Sequence, residues 1–218
     1  MAEKRKSASA SPTHKAAGLR LTPAAIVAEA LGFADAEGLA ALTMRALAAR
    51  LGVEAMAIYH HFPSKDALLD AMTERLETEA RPPSDGANWR ERLTAIAKHQ
   101  IKAALAHPRV ASLMTSRRGA TPAVFANNED VLRALKEAGL DAKSRVIWLR
   151  AFAAFVNGLA QYLIALQLRS GGAPAIDERN YPLVAAAARL GSSLGPEAVL
   201  DAGLGAFYAA IERDRRRQ

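Results

Sequence analysis

Ala48, Gly52 and Ile58 stand four and six residues apart. That spacing suits two short helices joined by a tight turn. Where the helices cross closely, the first must carry a small side chain, and Ala48 does. The turn needs positive φ, which glycine adopts without a Cβ penalty. A branched apolar side chain must plug the core beneath the second helix, and Ile58 can. Leu47, Leu51 and Val53 fill the other inward positions. The chemistry of such a unit is recognition rather than bond breaking: it would hold residues 55–61 outward as a helix able to enter a DNA groove. In an alanine-rich chain the spacing alone arises readily by chance. Helix caps at Thr43 and Ser64, and helices on both sides, give it weight.

Groups for bond chemistry are missing. The chain has no cysteine, so disulfides, thiolate metal sites and cysteine nucleophiles are excluded. It has no H-E-x-x-H, no phosphate-cradling glycine loop and no clustered carboxylate pair. The histidines are too scattered for a metal site. An enzyme is not expected, nor is a cofactor or metal.

The elements that would position these residues read as helices throughout. Thr22-Pro23 is an N-cap followed by proline at the first helical position. Ile26, Ala30, Phe33 and Ala34 recur at helical spacing, and Gly38 can end that helix. Thr43 caps a short helix from Met44 to Leu51, broken by Gly52. A third runs from about Glu54 to His61 and stops before Pro63. Ser64 caps a fourth, with Asp66 favouring its dipole. Neither Thr43 nor Ser64 has Glu or Gln three residues on, so neither is a full capping box. After a break at Arg81–Gly86, further helices are expected at Trp89–Ala106, Arg109–Ser116, Pro122–Ala138, Ala142–Arg169, Pro182–Leu190 and Pro196–Arg215. Gly171-Gly172 marks the end of the longest.

The 218 residues are half hydrophobic, enough to bury a core. Alanine is abundant and β-branched residues sparse, so the fold class is all-α. The formal net charge of +7 suggests a polyanionic partner only weakly. Its placement says more: Lys4, Arg5, Lys6, Lys15 and Arg20 crowd a Ser/Ala-rich start, and Arg213 and Arg215–Arg217 crowd the end. Residues 1–20 read as a flexible basic arm. The N-terminus lacks the apolar run of a secretory signal. Val146–Leu168 is apolar but includes Arg150, Asn157 and Gln161; a charge at mid-helix costs about 3 kcal/mol in lipid. A buried helix is expected there, with no membrane partner and a cytoplasmic location.

The run from Leu42 to Leu69 resembles the DNA-binding domain of the TetR family of bacterial regulators. Ile58-Tyr59-His60-His61-Phe62, followed by Ser64-Lys65-Asp66-Ala67-Leu68-Leu69, carries the likeness most strongly. The likeness is good over 21–76 and looser beyond. Trp89 to His107-Pro108 is similar to the start of the ligand-binding domain in the tetracycline repressor branch. The resemblance implies a helix-turn-helix DNA-binding domain over 21–66, with its motif at 42–61, and an effector-binding and dimerisation domain over 67–218. Thr43 would cap its helix and touch a phosphate, and Arg45 would read guanine. Ala55, Met56 and Ala57 would meet thymine methyls or sugar edges. Tyr59 and His61 would bond phosphates, His60 would face the groove, and Lys65 would clamp the backbone beside a helix N-terminus. With few polar base-readers, specificity would rest partly on DNA shape.

The middle helices would enclose a pocket for a small hydrophobic effector, with His99, Gln100, His107, Asn157 and Gln161 as polar lining. A loose match sets His107 where that branch has a magnesium-linked histidine. His107-Pro108 also reads as a helix end with the imidazole near the C-terminal dipole, and the scatter of the other histidines favours that role over a metal. Two late helices suit a homodimer interface: Ala151, Ala154, Gly158 and Ala165 on one, Ala198, Ala202, Gly205 and Ala209 on the other. Phe152, Phe155, Phe207 and Tyr208 would add bulk nearby. The function expected is a sequence-specific transcription regulator, a ligand-responsive repressor binding a palindromic, double-stranded DNA operator as a dimer. Alternatives are an activator of the same fold, a small all-α ligand-binding protein or enzyme, or a helical protein using its basic termini on a membrane surface.

Overall fold

The computed structural model describes residues 21–82, 88–117, 121–169, 175–191 and 194–217. The basic arm at 1–20, most of the expected break at 81–86 and the Gly171-Gly172 stop lie outside them. The described residues form ten helices and no strand: α1 (Pro23–Glu37), α2 (Met44–Leu51), α3 (Ala55–Tyr59), α4 (Lys65–Glu79), α5 (Trp89–Ala106), α6 (Leu113–Ser116), α7 (Pro122–Glu137), α8 (Ala142–Gln167), α9 (Pro182–Gly191) and α10 (Pro196–Arg215).

Local capping chemistry starts the helices. The side chains of Thr22, Thr43 and Ser64 accept hydrogen bonds from the backbone N–H of Ala25, Ala46 and Ala67 at 3.2, 3.1 and 3.1 Å. Asn88 caps α5 and Asp141 caps α8 in the same way. Each satisfies an N–H that the helix cannot. Two expected helices are shorter than their sequence suggests. The third spans only Ala55–Tyr59. The one from Arg109 forms only at Leu113–Ser116, because residues 107–112 are occupied by turns in which Val110 and Ala111 both bond the carbonyl of His107.

A single apolar core runs through the described chain, from Ile26 in α1 to Ile211 in α10. α4 is the joint. It packs on α1 on one side and on α5, α6 and α7 on the other. Its buried face is Leu68, Met72 and Leu76. At its start, the Arg117 guanidinium bonds both Asp66 and Asp70. Burial pulls the Arg117 pKa down, but the two carboxylates outweigh it and raise it above the ordinary value.

α8 is long and apolar enough to cross a bilayer; the buried helix expected here is buried on one face only, through Phe152, Val156, Leu159, Ala160 and Ile164, whereas Val146, Ile147, Tyr162 and Leu166 are exposed. Aromatic rings join it to α10. Trp148 meets Phe207 edge to face at 5.0 Å, and Phe152 lies 5.7 Å from Phe207. Trp89 of α5 meets Tyr208 at 5.3 Å. The Tyr208 hydroxyl sits 2.7 Å from Thr94 and donates to the carbonyl of Arg90. Burial pushes its pKa up, with Thr94 acting in the opposite sense. Of the four aromatics expected near an interface, Phe152, Phe207 and Tyr208 thus make these ring contacts inside the subunit.

The Trp148 indole N–H donates to Asp214 at 2.8 Å. That bond, with one from Ser144 and the charge of Arg217, lowers the Asp214 pKa. A depressed carboxylate stabilises the fold above its unfolded value, near 3.9, and the contribution is lost as pH falls through the lower folded value. Indole emission is therefore expected to shift on acidification below about pH 4, and less so in Asp214→Asn. An identical acid profile in that variant excludes the coupling.

Candidate nucleic-acid interface

Gly52 closes α2 in the left-handed conformation, φ 68° and ψ 30°. The N–H of Val53 bonds the carbonyl of Ala48 at 3.0 Å, which finishes α2 and turns the chain into α3. A Cβ at Gly52 would meet nothing within 4 Å, so backbone conformation, not space, calls for glycine here. Ala48 is 3% exposed, and Leu42, Leu47 and Ile58 are wholly buried. Ile58 anchors the one-and-a-half turns of α3 from below.

With Ile58 inward and Ala55 partly packed against the core, Met56 and Tyr59 turn outward. Met56 is 62% exposed and Tyr59 41%; Ala55 and Ala57 are half-buried, and His60 and His61 are exposed. Thr43 and Arg45 lie exposed at the start of α2, and Lys65 exposed at the start of α4. Three neighbouring elements thus expose seven of the nine candidate contact residues, with Ala55 and Ala57 half-buried between them. Thr43 uses its oxygen as a cap acceptor, which leaves its O–H to donate. Arg50, close by on α2, is engaged instead: it bonds Glu29 and lies 5.5 Å from the Phe33 ring centre. The set offers cations, hydroxyls, imidazoles and a short helix carrying small and apolar side chains. That chemistry matches phosphate contact together with shallow groove reading.

The five candidate lining residues do not meet around one cavity. Gln100 lines a small one between α4, α5, α7 and α8, with Glu77, Asn127, Leu149 and Phe152. Its volume is about 30 Å³, room for a water. His99 turns to its own helix, its Nδ1 3.0 Å from the carbonyl of Ala95. Asn157 likewise donates to the carbonyl of Ala153, and Gln161 is exposed. His107 is the C-cap of α5. Its Nδ1 is 2.6 Å from Asp35 of α1 and its Nε2 3.5 Å from Glu79 of α4. Carboxylates on opposite ring nitrogens do not converge on one point, and no metal-holding group occurs among the described residues.

Sequence reasoning missed Glu77 and Asn127, both 6% exposed. Asn127 of α7 donates to the Glu77 carbonyl and to its carboxylate, at 3.0 and 2.6 Å. A buried polar pair is costly unless bonded, so this pair ties α7 to α4 at the cavity wall. The only sequence signal was a polar residue at each inward helical position.

A model of bacterial regulatory proteins of the tetR family matches residues 26–72. A model of the tetracyclin repressor-like C-terminal domain matches residues 82–197. Tetracycline repressor protein class C of Escherichia coli is 31% identical over 209 residues, covering 90% of this chain and 93% of that one. The HTH-type transcriptional repressor DrrR1 of Streptomyces coeruleorubidus is 33% identical over 143 residues, 65% of this chain and 53% of its own length. Among solved structures, the Streptomyces coelicolor TetR family protein ActR in complex with actinorhodin aligns with a TM-score of 0.74 at 25% identity. The alignment covers 90% of this chain and 99% of that one.

Proposed function

The chain belongs to the tetR family of bacterial regulatory proteins, and from that premise we propose that this DNA-binding transcription regulator is a ligand-released repressor holding a palindromic operator as a homodimer. The carrying observation is the turn at Gly52, which buries Ile58 and leaves Arg45, Tyr59, His61 and Lys65 exposed on three adjoining elements. Residues 21–66 act as the DNA-binding unit and 67–218 as the effector and dimerisation unit, in the cytoplasm with the DNA.

In this reading Arg45 reads a base, whereas Thr43, Tyr59, His61 and Lys65 hold the backbone. Ala55, Met56, Ala57 and His60 line the groove. Arg45→Ala is expected to cost about 1–3 kcal/mol of operator binding and to relax preference at one base pair. Lys65→Ala should weaken all duplexes alike and flatten the salt dependence by about one ion. Fluorescence anisotropy on duplexes selected from a random pool measures both. Unchanged affinity and salt slope in both variants rejects the interface.

Dimerisation is supported by the outward faces of α8 and α10. Ala154, Gly158 and Ala165 are exposed on α8, beside Tyr162 at 59%; Ala198, Ala202, Gly205 and Ala209 are exposed on α10. Ala151 is half-buried and sits at the margin. Small residues let helices of two subunits approach closely. Nothing lies within 4 Å of a Cβ placed on Gly158 or Gly205, so a side chain there leaves the backbone into open space. Gly158→Arg is expected to halve the mass in light scattering while keeping the helical spectrum. A variant that stays dimeric excludes this interface.

A bound effector is supported by actinorhodin in complex with ActR. The cavity at Gln100 is its site, and it must widen to admit a ligand. α4 carries Lys65 at one end and Glu77 at the other. A ligand that moves α4 changes the spacing of the two recognition helices, which must sit roughly 34 Å apart to enter successive major grooves. It therefore favours a conformation that cannot hold the operator.

A further inference from the structure

We propose that a second cavity, between α5, α8 and the first turn of α10, binds an amphipathic monocarboxylate. The apolar chain would lie on Ile101, Leu105, Leu163 and Leu200, with the carboxylate between Lys98 and Lys102. The cavity encloses about 360 Å³, within the roughly 300–1,000 Å³ typical of small-molecule sites. It shares no lining residue with the cavity at Gln100, although Gln100 and Ile101 are neighbours on α5. This inference goes beyond the effector reading and stands without it.

The wall and the rim have different chemistry. Ile101 and Leu200 are buried, and Leu105 and Leu163 are half-buried, so an acyl chain would complete their removal from water. Lys98 and Lys102 are exposed, one helical turn apart on α5. Like charges at that spacing repel, and among the described residues neither lysine has an acidic partner within ion-pair distance. Glu197 stands on the opposite rim in the first turn of α10, where the helix dipole favours it. Two ammonium groups and one carboxylate leave a formal charge of +1, which one carboxylate headgroup neutralises. A cationic amphiphile would add a third positive charge to the same rim.

Isothermal titration calorimetry of the full chain without DNA tests this, with decanoate and decyltrimethylammonium as probes. Decanoate is expected to bind saturably, one per subunit, and decyltrimethylammonium at least about tenfold more weakly. Lys98→Ala/Lys102→Ala alters only exposed positions and should keep the helical spectrum while weakening decanoate about tenfold or more. Leu163→Trp should block the cavity. Gln100→Leu, in the other cavity, should leave decanoate binding unchanged. Absence of saturable binding overturns the proposal, as it would if a second copy covered the groove. Equal affinity for the cationic probe, indifference to the lysine substitutions, or loss on Gln100→Leu overturns it equally.

Discussion

Ile58→Ala is expected to lower the thermal midpoint by roughly 5–15 °C and to abolish tight operator binding without altering any atom that faces DNA. Ile58 has no exposed surface and packs in the same cluster as Leu42, Leu47 and Leu68. Truncating a buried isoleucine costs about 2–5 kcal/mol, combining lost transfer energy with the cavity left behind. For a chain of this length each kcal/mol shifts the midpoint by roughly 2–4 °C. α3 is only five residues long, too short to hold its shape by helix propensity. Its conformation depends on this one anchor. Met56→Ala, two residues away and 62% exposed, should change stability by less than about 0.5 kcal/mol. Thermal melts by circular dichroism, paired with operator titrations, separate the two. Similar melts for both variants would show that Ile58 is not the anchor.

Gly203→Ala is the second large effect. A Cβ at Gly203 would lie 2.3 Å from Cζ and 2.4 Å from Cε2 of Phe155, far inside van der Waals contact. α8 and α10 cross here with the ring of one laid on the bare backbone of the other. The added methyl must push the ring off its rotamer or separate the helices, at a cost of about 1–3 kcal/mol. Because the fault is a clash between two named groups, shrinking the second relieves it. Gly203→Ala/Phe155→Ala should therefore be more stable than the sum of the single changes by about 1 kcal/mol or more, measured as a double-mutant cycle in urea. Strict additivity would place the strain elsewhere. The same displacement should weaken subunit association, since the outward faces of α8 and α10 move with their inward ones.

The contrast between Gly52 and Gly203 shows what each level of information reaches. Gly52 was readable because its requirement is local: a helix must stop and turn within a few residues, and only positive φ does so here. Nothing local marks Gly203 among the small residues of an alanine-rich helix. Its importance arises from Phe155, 48 positions away in sequence. Likewise, His107 was legible as a helix end, but its partners Asp35 and Glu79 were not. The proposed effector lining shows the same divide. Nothing local distinguishes the polar residues of the middle helices that meet from those that do not; Glu77 and Asn127 become a pair only when α4 and α7 pack together.

By itself the order of residues determined the helices, most of their ends and the helix-turn-helix unit with its buried and exposed faces. Those features follow from interactions spanning about four residues, which a linear sequence displays directly. Tertiary structure decided which aromatics join helices within a subunit, where the cavities open, and that α4 links the helix-turn-helix unit to the buried Glu77. Those outcomes depend on the angles and distances at which separate helices cross, and crossing geometry is set by side-chain packing over the whole core.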